Sequence, residues 1–283
     1  MPLIPVQTID DPRLACYRQL NEQNLTRHSG LFVAEGDKVV ERLIGSRYEV
    51  ASILAEQPFA DRYAPRVSAD TPIYVASRAL LEATIGFNFH RGVLACGRRR
   101  ERRSVAELLS SLPLPVGEGA GAATLVVCVG IQDPTNLGSI IRTAAAFGCA
   151  GIVLGGKCAD PFSRRVLRVS MGAVLYLPIV ESLALTADLA RLGEAGFELV
   201  ATVVGDPAAE PLSAARPAAR TAVLFGSEGH GLPAECLALC GRRVTIPMQL
   251  GVDSLNVAVA AAVVLHQFTR DEYSGVLGGR SSC

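Results

Sequence analysis

Asn136-Leu-Gly-Ser-Ile-Ile-Arg142-Thr-Ala-Ala-Ala-Phe-Gly148 places polar residues and glycines where an apolar strand-like run, 124–129, gives way to an apolar helix-like run, 138–147. The same transition recurs twice. Gly226-Ser-Glu228-Gly-His-Gly-Leu232 follows the apolar run 222–225 and precedes a helix-like run at 233–240. Ile246-Pro-Met248 leads through Ser254-Leu-Asn256 into an apolar run at 254–269. Further strand-like runs at 152–154, 174–180, 198–204 and 244–246 alternate with helix-like runs at 163–170 and 185–195. Strands alternating with helices predict an α/β fold, a parallel sheet with helices on both faces. In such sheets ligands bind where strand turns into helix, so the three quoted segments are where chemistry is expected.

The rest of the chain bounds that chemistry. At 283 residues, one large or two modest domains are expected. Mean hydropathy is +0.32, carried mostly by Ala and Val, and the longest strongly apolar run, 258–265, is too short to cross a bilayer. Met1-Pro-Leu-Ile-Pro-Val6 lacks the basic start and long apolar stretch of a signal peptide, so a cytoplasmic location is expected. The eight cysteines include no Cys-x-x-Cys pair. Cys236 and Cys240 are a helical turn apart, but with no second close pair of ligands reduced thiols are expected and no metal. Charge balances at 27 basic and 27 acidic residues, so any nucleic-acid contact must be local. Two patches offer it: Arg98-Arg-Arg-Glu-Arg-Arg103, and Arg164, Arg165 and Arg168 with Lys157 upstream. Each also reads as a solubilising linker or a solvated helix face.

A small mixed α/β domain is expected over 1–103. It holds a polar stretch at 21–30, a strand feeding an amphipathic helix at 31–45, and strands at 48–54, 73–76 and 90–96. Pro, Gly and Ala mark a linker at 104–122, with a short amphipathic piece at 104–112. The second domain spans 123–283, with a mobile tail at 274–283. Its last helix is apolar on nearly every side, so it either runs through the core or packs on a second copy of the chain.

Within the segments, Asn136 sits where an N-cap is wanted and Gly148 where a left-handed C-cap fits. Arg142, set in an apolar helix, must meet an anion or reach solvent; phosphate and an internal carboxylate both qualify. The three glycines of 226–231 allow close backbone approach. They match neither Gly-x-Gly-x-x-Gly nor a P-loop, and no acidic residue follows at the dinucleotide spacing. Glu228 suits a helix cap or an arginine partner. Pro247 ends its strand, Ser254 suits the N-cap of the last helix, and Asn256 falls in its first turn.

In this order and spacing the three segments closely resemble the motifs of the SpoU (TrmH-type) branch of the SPOUT RNA methyltransferases. Asp160-Pro-Phe-Ser-Arg-Arg-Val-Leu-Arg-Val-Ser-Met-Gly172 resembles the family's intervening segment. Phe32-Val-Ala-Glu-Gly36 and His90-Arg-Gly92 resemble the RNA-recognition domain many members carry, a fold like that of certain small ribosomal proteins. Ala258, where many members have Ser, and a long linker are departures. The resemblance implies a sheet whose C-terminal segment forms a trefoil knot, a homodimer, and S-adenosylmethionine held by backbone groups of Gly226, Ile246 and Leu255. It implies methyl transfer to a ribose 2′-hydroxyl of RNA, ribosomal rather than transfer RNA. Arg142 would act on the substrate phosphate and developing charge, since an arginine can hardly serve as base. Asn136, Ser254 and Asn256 would hold the ribose and the arginine, and Glu228 would orient the loop or the arginine. The competing readings are a transfer-RNA enzyme, a catalytically silent RNA-binding member, and a nicotinamide oxidoreductase that would lack its fingerprint.

Overall fold

A computed structural model of the protein describes residues 3–18, 29–85, 92–113 and 121–277. The expected polar stretch over 21–28, His90, the middle of the linker and the end of the tail lie outside them. Contacts divide the chain into two units. Met1–Glu101 joins Asp160–Tyr176, and Arg102–Ala159 joins Leu177–Cys283.

The first unit is built on a mixed sheet of β1 (Leu3–Pro5), β2 (Leu31–Glu35), β3 (Val50–Ala55), β4 (Ile73–Val75) and β5 (Val93–Arg98), in the order β1-β4-β3-β5-β2. β5 runs antiparallel to both β2 and β3. Gly36, at φ 88, turns β2 directly into α1 (Asp37–Ile44), as the sequence pattern predicts. Two short helices, α2 (Gln57–Tyr63) and α3 (Arg78–Ile85), were not legible in the sequence. Opposite Gly97 on β5, the Phe32 ring occupies the space where a Cβ would lie, 2.4 Å from the nearest ring atom. Phe32 then packs on Tyr48 and Phe162, with centroids 5.7 and 5.1 Å away.

Phe162 belongs to the segment Asp160–Tyr176, which packs here and not with the residues that flank it in sequence. Charge fixes it as well as rings. Glu35 at the end of β2 is only 3% exposed, and α6 (Arg164–Val169) sets Arg164 and Arg168 at 3.6 and 3.8 Å from its carboxylate. Asp160 pairs with Arg99, whose guanidinium lies 4.9 Å from the Phe162 ring centre. Arg164, Arg168 and Arg99 are thus internal partners; the patch expected of them reduces to its exposed members. Removing a buried carboxylate strands its cations, so Glu35→Ala is expected to lower stability by about 3 kcal/mol. Urea unfolding checks this, and an unmoved midpoint would contradict it.

The second unit is a seven-stranded, all-parallel sheet. Its strands are β6 (Ala123–Cys128), β7 (Gly151–Leu154), β8 (Ile179–Glu181), β9 (Glu198–Thr202), β10 (Glu210–Pro211), β11 (Arg220–Phe225) and β12 (Arg242–Thr245). They lie in the order β10-β12-β9-β11-β6-β7-β8. Every residue of β6 is buried, the near-continuous apolar pattern of a strand covered on both faces. The predicted strand at 174–180 is shorter. Ala173–Leu175 forms a 3₁₀ turn after left-handed Met171 and Gly172, and Pro178, which has no N–H to donate, delays pairing until Ile179. The amphipathic piece expected at 104–112 is helical. α4 (Val105–Ser110) is closed by a reciprocal Ser104–Glu107 capping box and buries Val105 and Leu108 in the core of this unit.

Among the described residues the unit also holds α5 (Pro134–Ala146), α7 (Leu185–Glu194), α8 (Ala234–Leu239) and α9 (Val257–Leu277). α5 and α9 run side by side in the same direction. Asn136 meets Asn256 at their starts, and Phe147 meets His266 further along, with ring centroids 5.8 Å apart. α9 buries Val257, Ala261, Val264, Leu265 and Phe268, while Val259 and Val263 remain 50% and 43% exposed. One chain covers only part of this apolar helix. Cys236 and Cys240 lie on and just beyond α8; burial pushes both thiols up, that of Cys240 to about 11. Among the described residues no group of three or more His, Cys, Asp or Glu could hold a metal, and no helix is long and apolar enough to cross a membrane.

Candidate active site

The register sets Leu154, Cys128 and Phe225 abreast at the ends of β7, β6 and β11, so the loops that follow share one edge of the sheet. Strand order reverses around β6 and β11: the chain goes outward through β7 and β8, then returns to build β9, β11 and β12 on the other side. A switch of this kind opens a crevice at the carboxyl ends of the strands.

The loop after β11 fills part of it. A Cβ on Gly226 would stand 2.2 Å from the carbonyl carbon of Gly231 and 2.5 Å from the Leu232 nitrogen. Both are backbone atoms that no rotamer change can move, so only glycine fits. The Gly231 N–H closes the loop on the Ser227 carbonyl at 2.9 Å, with Gly231 itself at φ 65. This is the close approach that the glycine pattern predicted.

Hydrogen bonds join the three segments. Asp133, and not Asn136, caps α5, taking the Thr135 N–H at 2.8 Å with Pro134 as the first helical residue. Asn136 therefore lies inside the first turn, buried, with its amide free for longer-range contacts. Its Nδ2 donates to Glu228, and its Oδ1 accepts from Asn256 Nδ2 at 3.0 Å. Asn256 in turn accepts the Ala258 and Val259 N–H groups at 2.9 and 3.4 Å, which makes it, and not Ser254, the N-cap of α9. A carboxylate only accepts and a helix N-terminus only donates, so both amides have one possible orientation. The chain Glu228–Asn136–Asn256–α9 fastens the first, second and third motifs in one geometry.

Beside this network lies a cavity of about 470 Å³, within the range of small-molecule sites. Gly226, Ile246 and Leu255, the three residues expected to hold a cofactor, all line it. Glu228 and Ser254 line it too, whereas Asn136 and Asn256 reach it through Glu228. Arg142 does not line it. It is exposed on α5, and among the described residues its side chain has no hydrogen bond or ion pair, so its other expected partner, an internal carboxylate, is absent there. Met248, His230, Asp253 and the 202–204 turn also line the cavity and went unremarked in the sequence as site residues. Met248 and His230 sit inside the quoted motifs; the 202–204 turn carries only the apolar signature of a strand end.

The lining also limits the ligand. Its walls are apolar, with Phe225, Leu232, Val244 and Val257 among them. Glu228 and Asp253 bring negative charge, and among the described residues no Lys or Arg lines it. A pyrophosphate would meet carboxylates and no cation, which argues against a dinucleotide; a ligand with a flat apolar ring and a positive centre is suited. The backbone groups of Ile246 and Leu255 make no hydrogen bond among the described residues, leaving main-chain donors and acceptors for such a ligand.

Fold and site together define an α/β protein with a motif-lined, small-molecule cavity at the edge of a parallel sheet. Residues 123–266 match the SpoU rRNA methylase family, and this chain belongs to that family. It is 39% identical over 268 residues to an uncharacterized tRNA/rRNA methyltransferase of Mycobacterium bovis, covering 92% of this chain and 90% of that one. An AdoMet-bound rRNA methyltransferase from Sinorhizobium meliloti superposes with a TM-score of 0.82 at 25% identity, covering 95% and 98% of the two chains. An RNA 2′-O ribose methyltransferase does so with a TM-score of 0.74 at 27% identity, covering 95% and 99%.

Proposed function

We propose that this protein transfers the methyl group of S-adenosylmethionine to a ribose 2′-hydroxyl in structured RNA, ribosomal RNA being the favoured substrate. The observation that carries the reading is the cavity itself: Gly226, Ile246 and Leu255 converge on it, and the Glu228–Asn136–Asn256 chain fixes its edge. When bound, the cofactor supplies an electrophilic methyl group on a sulfonium. The carboxylates of Glu228 and Asp253 complement that positive charge, and the unbonded main chain of Ile246 and Leu255 orients the molecule.

Arg142 completes the site from elsewhere. A guanidinium stays protonated, so its role is to hold the substrate phosphate and the charge developing on the ribose oxygen, with water or a phosphate oxygen taking the proton. Its exposure outside the cavity of its own chain fits a site completed by a second copy. The bare Val259 and Val263 on α9, beside α5, are the surface through which two copies would join. The trefoil knot belongs to the same reading: the segment after β12 reaches Asn136 beside the 226–231 loop, as a threaded chain would. A cytoplasmic location follows from the substrate.

The unit of 1–101 and 160–176 is read as the RNA-recognition domain. Of the arginine run, Arg98 pairs with Glu49 and Arg99 with Asp160, which leaves Arg100, Arg102 and Arg103 for phosphates. Replacing these three with Ala is expected to lower the slope of log affinity against log salt by about 2. An unchanged slope would return the run to a linker role. Mapping ribose methylation in total RNA with and without the gene tests the substrate. Loss of one ribosomal 2′-O-methyl group is the expected result; loss confined to transfer RNA would select the alternative substrate, and no loss would sink the proposal.

A further inference from the structure

Among the described residues, Lys157 is one of three non-glycine residues held at positive φ, at 65°, and its side chain is exposed. It stands in Gly155-Gly-Lys-Cys158, the turn after β7. A side chain with a Cβ is disfavoured in this backbone conformation, and lysine has no local hydrogen bond to compensate, as Asn or Asp would. The turn is nonetheless fixed on both sides. The Gly155 N–H bonds the Cys128 carbonyl at 2.8 Å, the Ala159 N–H bonds the Ile131 carbonyl at 2.8 Å, and Cys158 Sγ lies 3.3 Å from the Cys128 carbonyl. The flanking chain therefore imposes the strain and holds Lys157 in place.

It is held at the edge where the proposed chemistry occurs. β7, β6 and β11 are neighbours in register, so the turn after β7 stands about 10 Å from the turn that carries Glu228. The loop between them touches the second: a Cβ on Gly130 would lie 3.6 Å from Ser227 Cβ. Nothing lies within 4 Å of where a Gly156 Cβ would be, so the space beside Lys157 is open. Among the described residues Lys157 has no hydrogen bond or ion pair. Among the described residues the cavity lining itself offers no Lys or Arg.

We infer that Lys157 binds a backbone phosphate of the substrate RNA close to the acceptor nucleotide, a positioning contact made by this chain's own sheet edge. The inference rests on the reading of the site as an RNA methyltransferase. Strain makes the test selective. Lys157→Gly removes the cation and relieves the backbone, so the fold should melt at the same or a higher temperature. The same variant should bind purified ribosomal RNA with a salt slope smaller by about 1. Its KM for RNA should rise about tenfold with S-adenosylmethionine affinity unchanged. Lys157→Arg should keep the wild-type slope. A glycine variant with wild-type slope and KM overturns the inference, as does one that melts lower and loses cofactor affinity, which would make the residue structural. Failure of the wild-type protein to bind S-adenosylmethionine would instead refute the reading beneath it, and the salt slope of Lys157→Gly still decides whether the lysine meets phosphate.

Discussion

Arg142→Ala is expected to reduce methyl transfer by roughly a thousandfold or more while leaving S-adenosylmethionine affinity within about threefold. The split follows from position. Arg142 is exposed on α5, outside the cavity, so its loss leaves the cofactor's walls intact and removes a cation from the substrate side. Calorimetric titration and single-turnover assays read the two effects separately. In the proposed dimer, mixed subunits sharpen the result. Pairing a subunit carrying Arg142→Ala with one that cannot bind cofactor should restore part of the activity, because one site then has both an intact cavity and an intact arginine. A fully active Arg142→Ala protein would remove the residue from the mechanism.

Gly226→Ala should act on the other side of the reaction, through the cofactor site. The added methyl would stand 2.2–2.5 Å from backbone atoms of Gly231 and Leu232. Overpacking of this kind typically costs about 1–3 kcal/mol. Relief requires the 226–231 loop to open, which would carry Glu228 away from Asn136. The expected outcome is a loss of S-adenosylmethionine affinity of at least about tenfold, with a lowered melting temperature. Gly229→Ala is the control, since nothing lies within 4 Å of the added atom. Wild-type affinity in Gly226→Ala would mean that the loop does not shape the cofactor site.

These residues were legible in sequence to different degrees, for physical reasons. Gly226 left a clear mark because close backbone approach admits only one residue type. The parallel sheet was legible because strands buried on both faces, such as β6, become continuous apolar runs. The helix starts were misread by a few residues. Asp133-Pro134 and Asn136 both suit a helix beginning, as do Ser254 and Asn256, and local pattern cannot choose between two good caps. The choice is made by the Asn136–Asn256 contact, between residues 120 positions apart. Arg164 and Arg168 looked like a basic face because their counter-charge, Glu35, lies in another part of the chain. For the same reason nothing local indicated that Asp160–Tyr176 packs with the first unit. Arg142 was legible as a cation in need of an anion or solvent, with phosphate and an internal carboxylate both open; that its side chain is exposed and meets no carboxylate among the described residues was not legible.

The most direct test of the central claim is where a labelled methyl group ends up. RNA incubated with the protein and S-adenosylmethionine carrying a radioactive methyl group is hydrolysed in alkali, which cleaves next to every free 2′-hydroxyl and spares a methylated ribose. Label recovered in alkali-resistant dinucleotides is the predicted result. Label recovered in mononucleotides, and so on a base, would contradict the assignment of the acceptor to the sugar.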